Sequence, residues 1–302
     1  MADHTLAEIA GVRLAAACDT GIVLRQPLDV YQPFLRTGTV GADVEISIVF
    51  GPGDSPGLAG AECLLRGNDS WSAFERAGSR ILSLEAASSH RDPVWRAQLY
   101  PGWARATVYY GPELVMQRAT GDGIPAPFWY PLDQILMMYY LATRRGALVH
   151  AAGGSVGGKG LIFPGVSGAG KSTLTRQIMA GKPQDIEMLS DDRMIVRKID
   201  GNFKAYGTPW PGDAGIAVNK SVPLRAMLFL HRGKQNEIRE LTPQQALEQL
   251  LPVASIPWYD RDVLPDILDF CDDLITNVPS YELHFRPEPG VVDLLASFAA
   301  GL

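Results

Sequence analysis

A glycine-rich loop near the middle of the chain has the residue types and spacing that bind phosphate. It comprises Gly165, Val166, Ser167, Gly168, Ala169, Gly170, Lys171, Ser172 and Thr173. Glycines let the backbone turn closely around an anion, so that successive N–H groups and a helix N-terminus point at it. Lys171 is expected to reach the β- and γ-phosphates, and Ser172 to ligate Mg²⁺. The loop therefore predicts a nucleotide-binding site, with ATP as co-substrate and Mg²⁺ as cofactor.

The residues on either side of the loop supply the context that this motif requires. An apolar run that ends at Phe163 predicts a buried strand, and residues 174–180 have the pattern of a helix that ends at Gly181. A strand, a loop and a helix in this order are typical of phosphate loops. The alternative is a glycine-rich loop that matches by chance, which the two flanks disfavour.

Two acids follow the next predicted strand, which covers residues 186–190. They are Asp191 and Asp192, with Arg193 directly after them. In folds of this kind one carboxylate holds Mg²⁺, while a second accepts the proton of an attacking hydroxyl. The alternative is that the pair only ends the strand and begins a turn.

From about His150 to Phe285, roughly half of its length, the chain resembles the catalytic domain of HPr kinase/phosphorylase. It resembles the nucleotide domain of phosphoenolpyruvate carboxykinase more distantly. The resemblance rests on Val149-His150 before a glycine turn, on the loop 165–172 and on residues 189–193. It implies an α/β fold, in which a β-rich N-terminal domain precedes a mixed-sheet P-loop kinase domain of the HPr kinase/carboxykinase type.

The same resemblance implies roles for individual residues. Asp191 is expected to act as the general base, oriented by His150, beside the phosphate-binding Lys171. Asp192 and Ser172 are expected to hold Mg²⁺, and Asp213 stands where another acid of the family approaches the metal. The implied reaction transfers the γ-phosphoryl group of ATP to a hydroxyl, that of a serine in a peptide or protein or of a small serine-like metabolite.

Departures from the family pattern limit what can be carried over. The signature Glu-x-Arg-Gly-x-Gly is missing, and residues 213–219 occupy its place. HPr itself is therefore not implied as the acceptor, nor is the reverse phosphorylase reaction. Arg232 and Lys234 could contact phosphate, but the interpretation preferred for them is a solvated turn. A second hypothesis is a nucleotide-gated binding module, in which ATP orders the loop 206–213 without turnover.

The remaining sequence indicates two domains, residues 1–125 and 126–302. The first part contains alternating apolar segments typical of strands, and residues 120–127 are rich in Gly and Pro, as expected of a boundary. A helix is predicted to begin near Pro131, since apolar residues follow it at helical spacing.

Composition narrows the class of protein. A net charge of −6 argues against a nucleic-acid partner, and no apolar run approaches the roughly 20 residues that span a bilayer. The three cysteines, Cys18, Cys63 and Cys271, have neither zinc nor disulfide spacing, which is typical of a reduced cytoplasmic protein. The N-terminus does not have the pattern of a secretory signal. Whether the chain forms a homo-oligomer is left open.

Overall fold

A computed structural model describes the chain at residues 3–18, 24–25, 29–38, 41–50, 55–67, 71–85, 93–111, 114, 124–181 and 185–302. Contacts between residues divide the chain into two units, Met1–Tyr140 and Leu141–Leu302. This division lies further along the chain than the boundary expected between residues 125 and 126. The functional limits of the two domains stay a prediction.

The first unit is β-rich. Its main sheet has nine strands in the order β4-β1-β2-β5-β10-β9-β8-β7-β6. These strands are β1 Asp3–Ile9, β2 Val12–Cys18, β4 Leu35–Arg36, β5 Val44–Phe50, β6 Glu62–Leu65, β7 Trp71–Arg76, β8 Ser79–Glu85, β9 Pro93–Leu99 and β10 Arg105–Tyr110. Along β2 and β9 every second side chain is buried, so one face of the sheet covers a core.

Smaller elements complete this part of the chain. Strands β3 (Leu24–Arg25) and β11 (Ile124–Pro125) pair in parallel, and a 3₁₀ helix covers Asp29–Phe34. Helix α1 spans Leu132–Ala142, so the predicted helix after Pro131 is confirmed. The division between the two units falls inside this helix.

The second unit combines helices with a mixed sheet. Its elements are β12 Gly146–Val156, β13 Lys159–Pro164, α2 Lys171–Gly181, β14 Ile186–Ser190, β15 Arg193–Ile199, β16 Asn202–Tyr206, β17 Ser221–Arg232, β18 Glu237–Glu240, α3 Pro243–Leu250, α4 Leu264–Asn277, β19 Ser280–Phe285 and α5 Gly290–Gly301. A β-rich N-terminal region followed by a mixed sheet with helices agrees with the predicted architecture. Within the described residues, no helix combines the length and apolarity needed to cross a membrane.

The pairing of the strands places β13 between two neighbours. β13 pairs with β12 in antiparallel and with β17 in parallel orientation, and β17 pairs in parallel with β19. On its other side β12 pairs with β15, β15 pairs with β16, and β16 pairs with β17. Together with β13, these strands form a closed circuit of five. Because parallel strands end at one edge of a sheet, the residues that follow β13, β17 and β19 come together there.

Helices α2 and α5 pack on one apolar face of this sheet. The cluster includes Leu161 and Phe163 of β13, Leu174 and Ile178 of α2, Leu228 and Leu230 of β17, Leu283 and Phe285 of β19, and Val291 and Leu295 of α5. Alternate residues of each strand contribute, as expected when one face of a strand is buried against helices. This packing fixes the position of α2, whose first turn carries Lys171 and Ser172.

Candidate functional site

The predicted strand–loop–helix arrangement is confirmed: residues 165–170 connect β13 to α2. Gly168 and Gly170 have positive φ angles of 81° and 117°, a region that favours glycine. A Cβ atom on Gly170 would lie 2.8 Å from the ring of Phe285, and one on Gly165 would lie 2.8 Å from the Cβ of Ala169. Glycine is therefore favoured at Gly168 by the backbone conformation, and at Gly165 and Gly170 by the close approach of neighbouring atoms.

Lys171, the first residue of α2, lies beneath this loop. Its Nζ atom donates hydrogen bonds to the carbonyl oxygens of Gly165, at 2.9 Å, and Val166, at 3.4 Å. Burial lowers the pKa of Lys171, and the charge of Arg193 acts in the same direction, while the carboxylate of Asp192 opposes them. The ammonium group is thus held at the loop by two carbonyls, with a carboxylate 4.0 Å from Nζ.

That carboxylate is also bonded to a histidine. Nε2 of His150 lies 2.8 Å from Oδ1 of Asp192, and Nε of Arg193 lies 3.6 Å from Oδ2. Partial burial by itself raises the pKa of Asp192. The hydrogen bond with His150 and the nearby positive charges outweigh that effect and lower the pKa below its ordinary value. Asp192 is therefore a carboxylate, ionised at neutral pH, in contact with His150 and near Lys171.

Backbone hydrogen bonds set the position of both residues. The N–H of His150 donates to Val253, and its carbonyl accepts from Gly165, the first residue of the phosphate loop, at 3.2 Å. The carbonyl of Asp192 accepts from the N–H of Ala151 at 3.0 Å. Strand β12 therefore links the histidine, the acid and the phosphate loop through main-chain contacts.

Asp191 has a different environment, which corrects the role expected for it. The residue is only 1% exposed. Its Oδ1 accepts hydrogen bonds from the N–H groups of Gly212 and Ile216, at 3.0 and 3.1 Å, and its Oδ2 accepts from Ala214 at 2.7 Å. The expectation that His150 orients Asp191 is wrong, because His150 contacts Asp192. Neighbouring side chains at the end of a strand point to opposite sides, so one of the two acids faces inward.

The bonds from Asp191 shape the loop that follows β16. A Cβ atom on Gly212 would lie 2.9 Å from Oδ2 of Asp191 and 3.0 Å from the Cβ of Asp192, so this position requires glycine. Asp213, the next residue, is exposed. Its neighbours on both sides are held by Asp191, and this places Asp213 at the rim of the site.

These groups surround one cleft of about 430 Å³. Its lining residues are His150, Ser167, Gly168, Gly170, Lys171, Ser172, Thr173, Arg176, Asp192, Gly212, Asp213 and Arg232. Most of the predicted site residues are among them. Gly165, Val166, Ala169 and Asp191 are not, although Gly165 and Val166 provide the carbonyls that hold Lys171.

Two arginines of the cleft were not among the predicted site residues. Nη2 of Arg232, an exposed residue at the end of β17, donates a hydrogen bond of 3.0 Å to the carbonyl of Gly168, so Arg232 contacts the glycine-rich loop as well as solvent. Arg176 lies on α2, one turn after Ser172. Its spacing from Ser172, i to i+4, is the signal that could have placed it at the loop.

The family comparison matches the end of the first unit and most of the second unit. A family model described as "SynChlorMet cassette protein ScmC" matches residues 129–285, slightly more than half of the chain. The chain belongs to the ScmC family. The ScmC match covers α1 and all the residues that line the cleft.

Among solved structures, the chain is similar to the Hpr(Ser) kinase/phosphatase from Coxiella burnetii. The two sequences are 11% identical, the match covers 51% of this chain and 88% of the other, and the TM-score is 0.30. This is a distant likeness at the level of the fold and carries no argument about the site. No protein of curated function matches the sequence.

The donor set of this ScmC-family cleft suits Mg²⁺ rather than a metal bound by the protein alone. Across the described residues, no three His, Cys, Asp or Glu side chains assemble as a metal site. Mg²⁺ needs fewer protein ligands, because it keeps several waters and binds substrate phosphates. The hydroxyl of Ser172 and the carboxylates of Asp192 and Asp213 all line the cleft, so the residues present fit this ion.

Another concavity, of about 710 Å³, lies in the first unit, outside the ScmC match. Its described lining residues are His4, Thr5, Leu6, Gln32, Leu35, Arg36, Thr37 and Gly38. None of these is a carboxylate, and the only glycine is not part of a phosphate-binding pattern. Of these two concavities, the cleft of the second unit therefore has the lining residues that are better suited to binding phosphate and a metal ion.

Proposed function

We propose that this member of the ScmC family is a kinase that transfers the γ-phosphoryl group of ATP to a hydroxyl group. The observation that supports it best is the hydrogen bond of 2.8 Å between His150 and Asp192, with Lys171 4.0 Å from the same carboxylate oxygen. A carboxylate beside the phosphate loop, held by a histidine, can receive the proton of an attacking hydroxyl.

The roles follow from the positions of the side chains. Lys171 and the backbone N–H groups of the loop bind the β- and γ-phosphates. In this proposal Asp192 takes the role of base that the sequence assigned to Asp191, and its lowered pKa keeps it ionised, and so free of a proton, at neutral pH. Ser172 and Asp213, rather than Asp192, would hold Mg²⁺, which would neutralise charge on the phosphates.

The acceptor follows from the same chemistry. A carboxylate base suits a neutral oxygen nucleophile, whose proton must leave as the new phosphorus–oxygen bond forms. We therefore propose a serine hydroxyl of a peptide or protein, or that of a small serine-like metabolite.

A second candidate function is a nucleotide-gated binding module. The observation that favours it is the set of three hydrogen bonds that the Asp191 carboxylate accepts from backbone N–H groups of residues 212–216. These bonds tie the loop that carries Asp213 to the strand end that carries Asp192. A nucleotide bound in the cleft would then stabilise this loop as a surface for a partner, without transfer of phosphate.

The experiment that separates the two incubates the protein with Mg²⁺ and ATP labelled in the γ-phosphate. Serine-containing peptide libraries and L-serine serve as acceptors. A kinase labels at least one acceptor, and Lys171→Ala removes the label. Lys234→Ala, which removes an exposed cation outside the cleft lining, leaves it unchanged. Nucleotide binding without any labelled acceptor would support the binding module instead.

A further inference from the structure

The cleft has two chemically different sides, and strand order separates them. Gly165, the residue after β13, contacts the strands on both sides of β13. Its N–H donates to the carbonyl of His150 in β12, and a Cβ atom on Gly165 would lie 3.5 Å from the Cβ of Leu230 in β17. His150 belongs to β12, whereas Arg232 ends β17, two residues beyond Leu230. His150 and Arg232 therefore reach the cleft from opposite sides of the strand that leads into the phosphate loop.

Arg176 of α2 also lines the cleft, and it is exposed. It lies one turn after Ser172, whereas Gln177 lies one turn after Thr173. The side chain of Gln177 donates to the carbonyl of Pro287, shortly after the end of β19. Gln177 is therefore on the β19 side of α2, and Arg176 is beside it at the cleft.

We call His150 and Asp192 the acid flank, and we call the two arginines that line the cleft, Arg176 and Arg232, the arginine flank. The described residues of the cleft include no Phe, Tyr or Trp that could stack on a nucleobase, and its one imidazole, that of His150, is hydrogen-bonded to Asp192. Guanidinium groups bind phosphate through paired N–H donors and can also stack on planar rings. The arginine flank thus has the chemistry to bind the part of a nucleotide that is not transferred.

We infer that the arginine flank fixes the direction of the nucleotide in the cleft. Arg176 and Arg232 contact the α- and β-phosphates, and the γ-phosphate points toward Asp192 and His150. This inference rests on the proposed function for the identity of the ligand. It assigns Arg176 and Arg232 as residues that select and orient the donor, a role separate from proton transfer.

Besides the inferred contact with phosphate, Arg232 has a hydrogen bond to the carbonyl of Gly168. The test must separate the effects of these two contacts. Arg232→Ala removes both the charge and the hydrogen bond to Gly168. Arg232→Gln keeps an amide donor for Gly168 but removes the charge. Lys234→Ala is the matched control, because Lys234 is an exposed cation two residues away that does not line the cleft.

The test is calorimetric titration of the full chain with MgADP and with the Mg²⁺ complex of β,γ-imido-ATP. We expect weaker binding of both nucleotides in each of the variants Arg176→Ala, Arg232→Ala and Arg232→Gln. The affinity for MgADP and that for the triphosphate analogue should fall by the same factor, about 10- to 100-fold, the usual effect of losing a hydrogen bond to a charged group. Lys234→Ala should leave both affinities unchanged. The ratio of the two affinities should stay that of the wild type.

Three results would overturn the inference. Unchanged affinities in the arginine variants would show that these side chains do not contact the nucleotide. Loss confined to the triphosphate analogue would place the arginines at the transferred group. Wild-type affinity in Arg232→Gln would show that Arg232 only shapes the loop. Failure of the kinase proposal looks different, because nucleotides then bind with the expected pattern while no acceptor is labelled.

Discussion

His150 and Asp192, 42 residues apart in the sequence, lie with Nε2 and Oδ1 2.8 Å apart at the phosphate loop. The contact joins β12 to the end of β14, two strands that also pair through their backbones. It places an ionised carboxylate near the buried ammonium of Lys171, the arrangement that the proposed phosphoryl transfer to a hydroxyl would use.

The role of His150 can be tested by two substitutions. His150→Ala removes the hydrogen bond that orients Asp192, so transfer to a labelled acceptor should fall by roughly tenfold, less than after loss of the base itself. His150→Gln keeps a side-chain donor and should recover part of the rate. Equal rates in the wild type and His150→Ala, measured by single-turnover transfer, would show that the histidine has no part in orienting the acid.

Asp191 should matter for folding rather than for proton transfer. Asp191→Asn replaces one accepting oxygen with a donor that faces backbone N–H groups in a buried position. We expect the free energy of unfolding to fall by roughly 2–3 kcal/mol, the usual cost of an unsatisfied buried polar group. Asp213→Asn, an exposed acid on the same loop, is the control and should change it by less than about 0.5 kcal/mol. Denaturant unfolding measures both, and an unchanged midpoint for Asp191→Asn would contradict this role.

Asp273 of α4 predicts a pH dependence of stability in the second unit. Burial by itself raises the pKa of Asp273, but hydrogen bonds and charge from Lys198 and Arg145 lower it below the ordinary value. The folded state therefore binds the proton less readily than the unfolded state. The stabilisation is complete above the ordinary pKa of about 3.9 and is lost as pH falls through the lowered value.

The measurement for Asp273 is the melting temperature of Asp273→Asn and of the wild type across this range. The variant should melt below the wild type at pH 7, and the difference should shrink on acidification. Asp272→Asn, an exposed neighbour on the same helix, should follow the wild type at every pH. A difference that does not depend on pH would show that the ion pairs contribute nothing.

Local sequence signals predicted much of this unit. The strand–loop–helix arrangement could be predicted because the glycines, Lys171 and Ser172 lie together in the chain and need only a strand before them and a helix after them. The turn between β15 and β16, Asp200-Gly201, likewise has the residue types that a two-residue hairpin turn favours. Both residues have positive φ, as a two-residue hairpin turn requires.

The parts that were missed depend on contacts between distant segments. Whether Asp191 or Asp192 faces the cleft is decided by the loop 212–216, which lies 21 to 25 residues further along the chain and donates hydrogen bonds to Asp191. Arg232 reaches the phosphate loop only because β17 pairs with β13. No local pattern specifies which strands become neighbours, so neither result could be read from the sequence.

The central claim is that Asp192 accepts the proton during phosphoryl transfer and is not needed for binding ATP. The most direct measurement compares Asp192→Asn with the wild type in two assays, calorimetric titration with the Mg²⁺ complex of β,γ-imido-ATP and single-turnover transfer to a labelled acceptor. Nucleotide affinity should change little, while transfer should fall by about 10²- to 10⁴-fold, the usual contribution of a positioned base. Asp272→Asn should match the wild type in both assays. Transfer at the wild-type rate by Asp192→Asn, or a loss of transfer fully explained by weaker nucleotide binding, would contradict the claim.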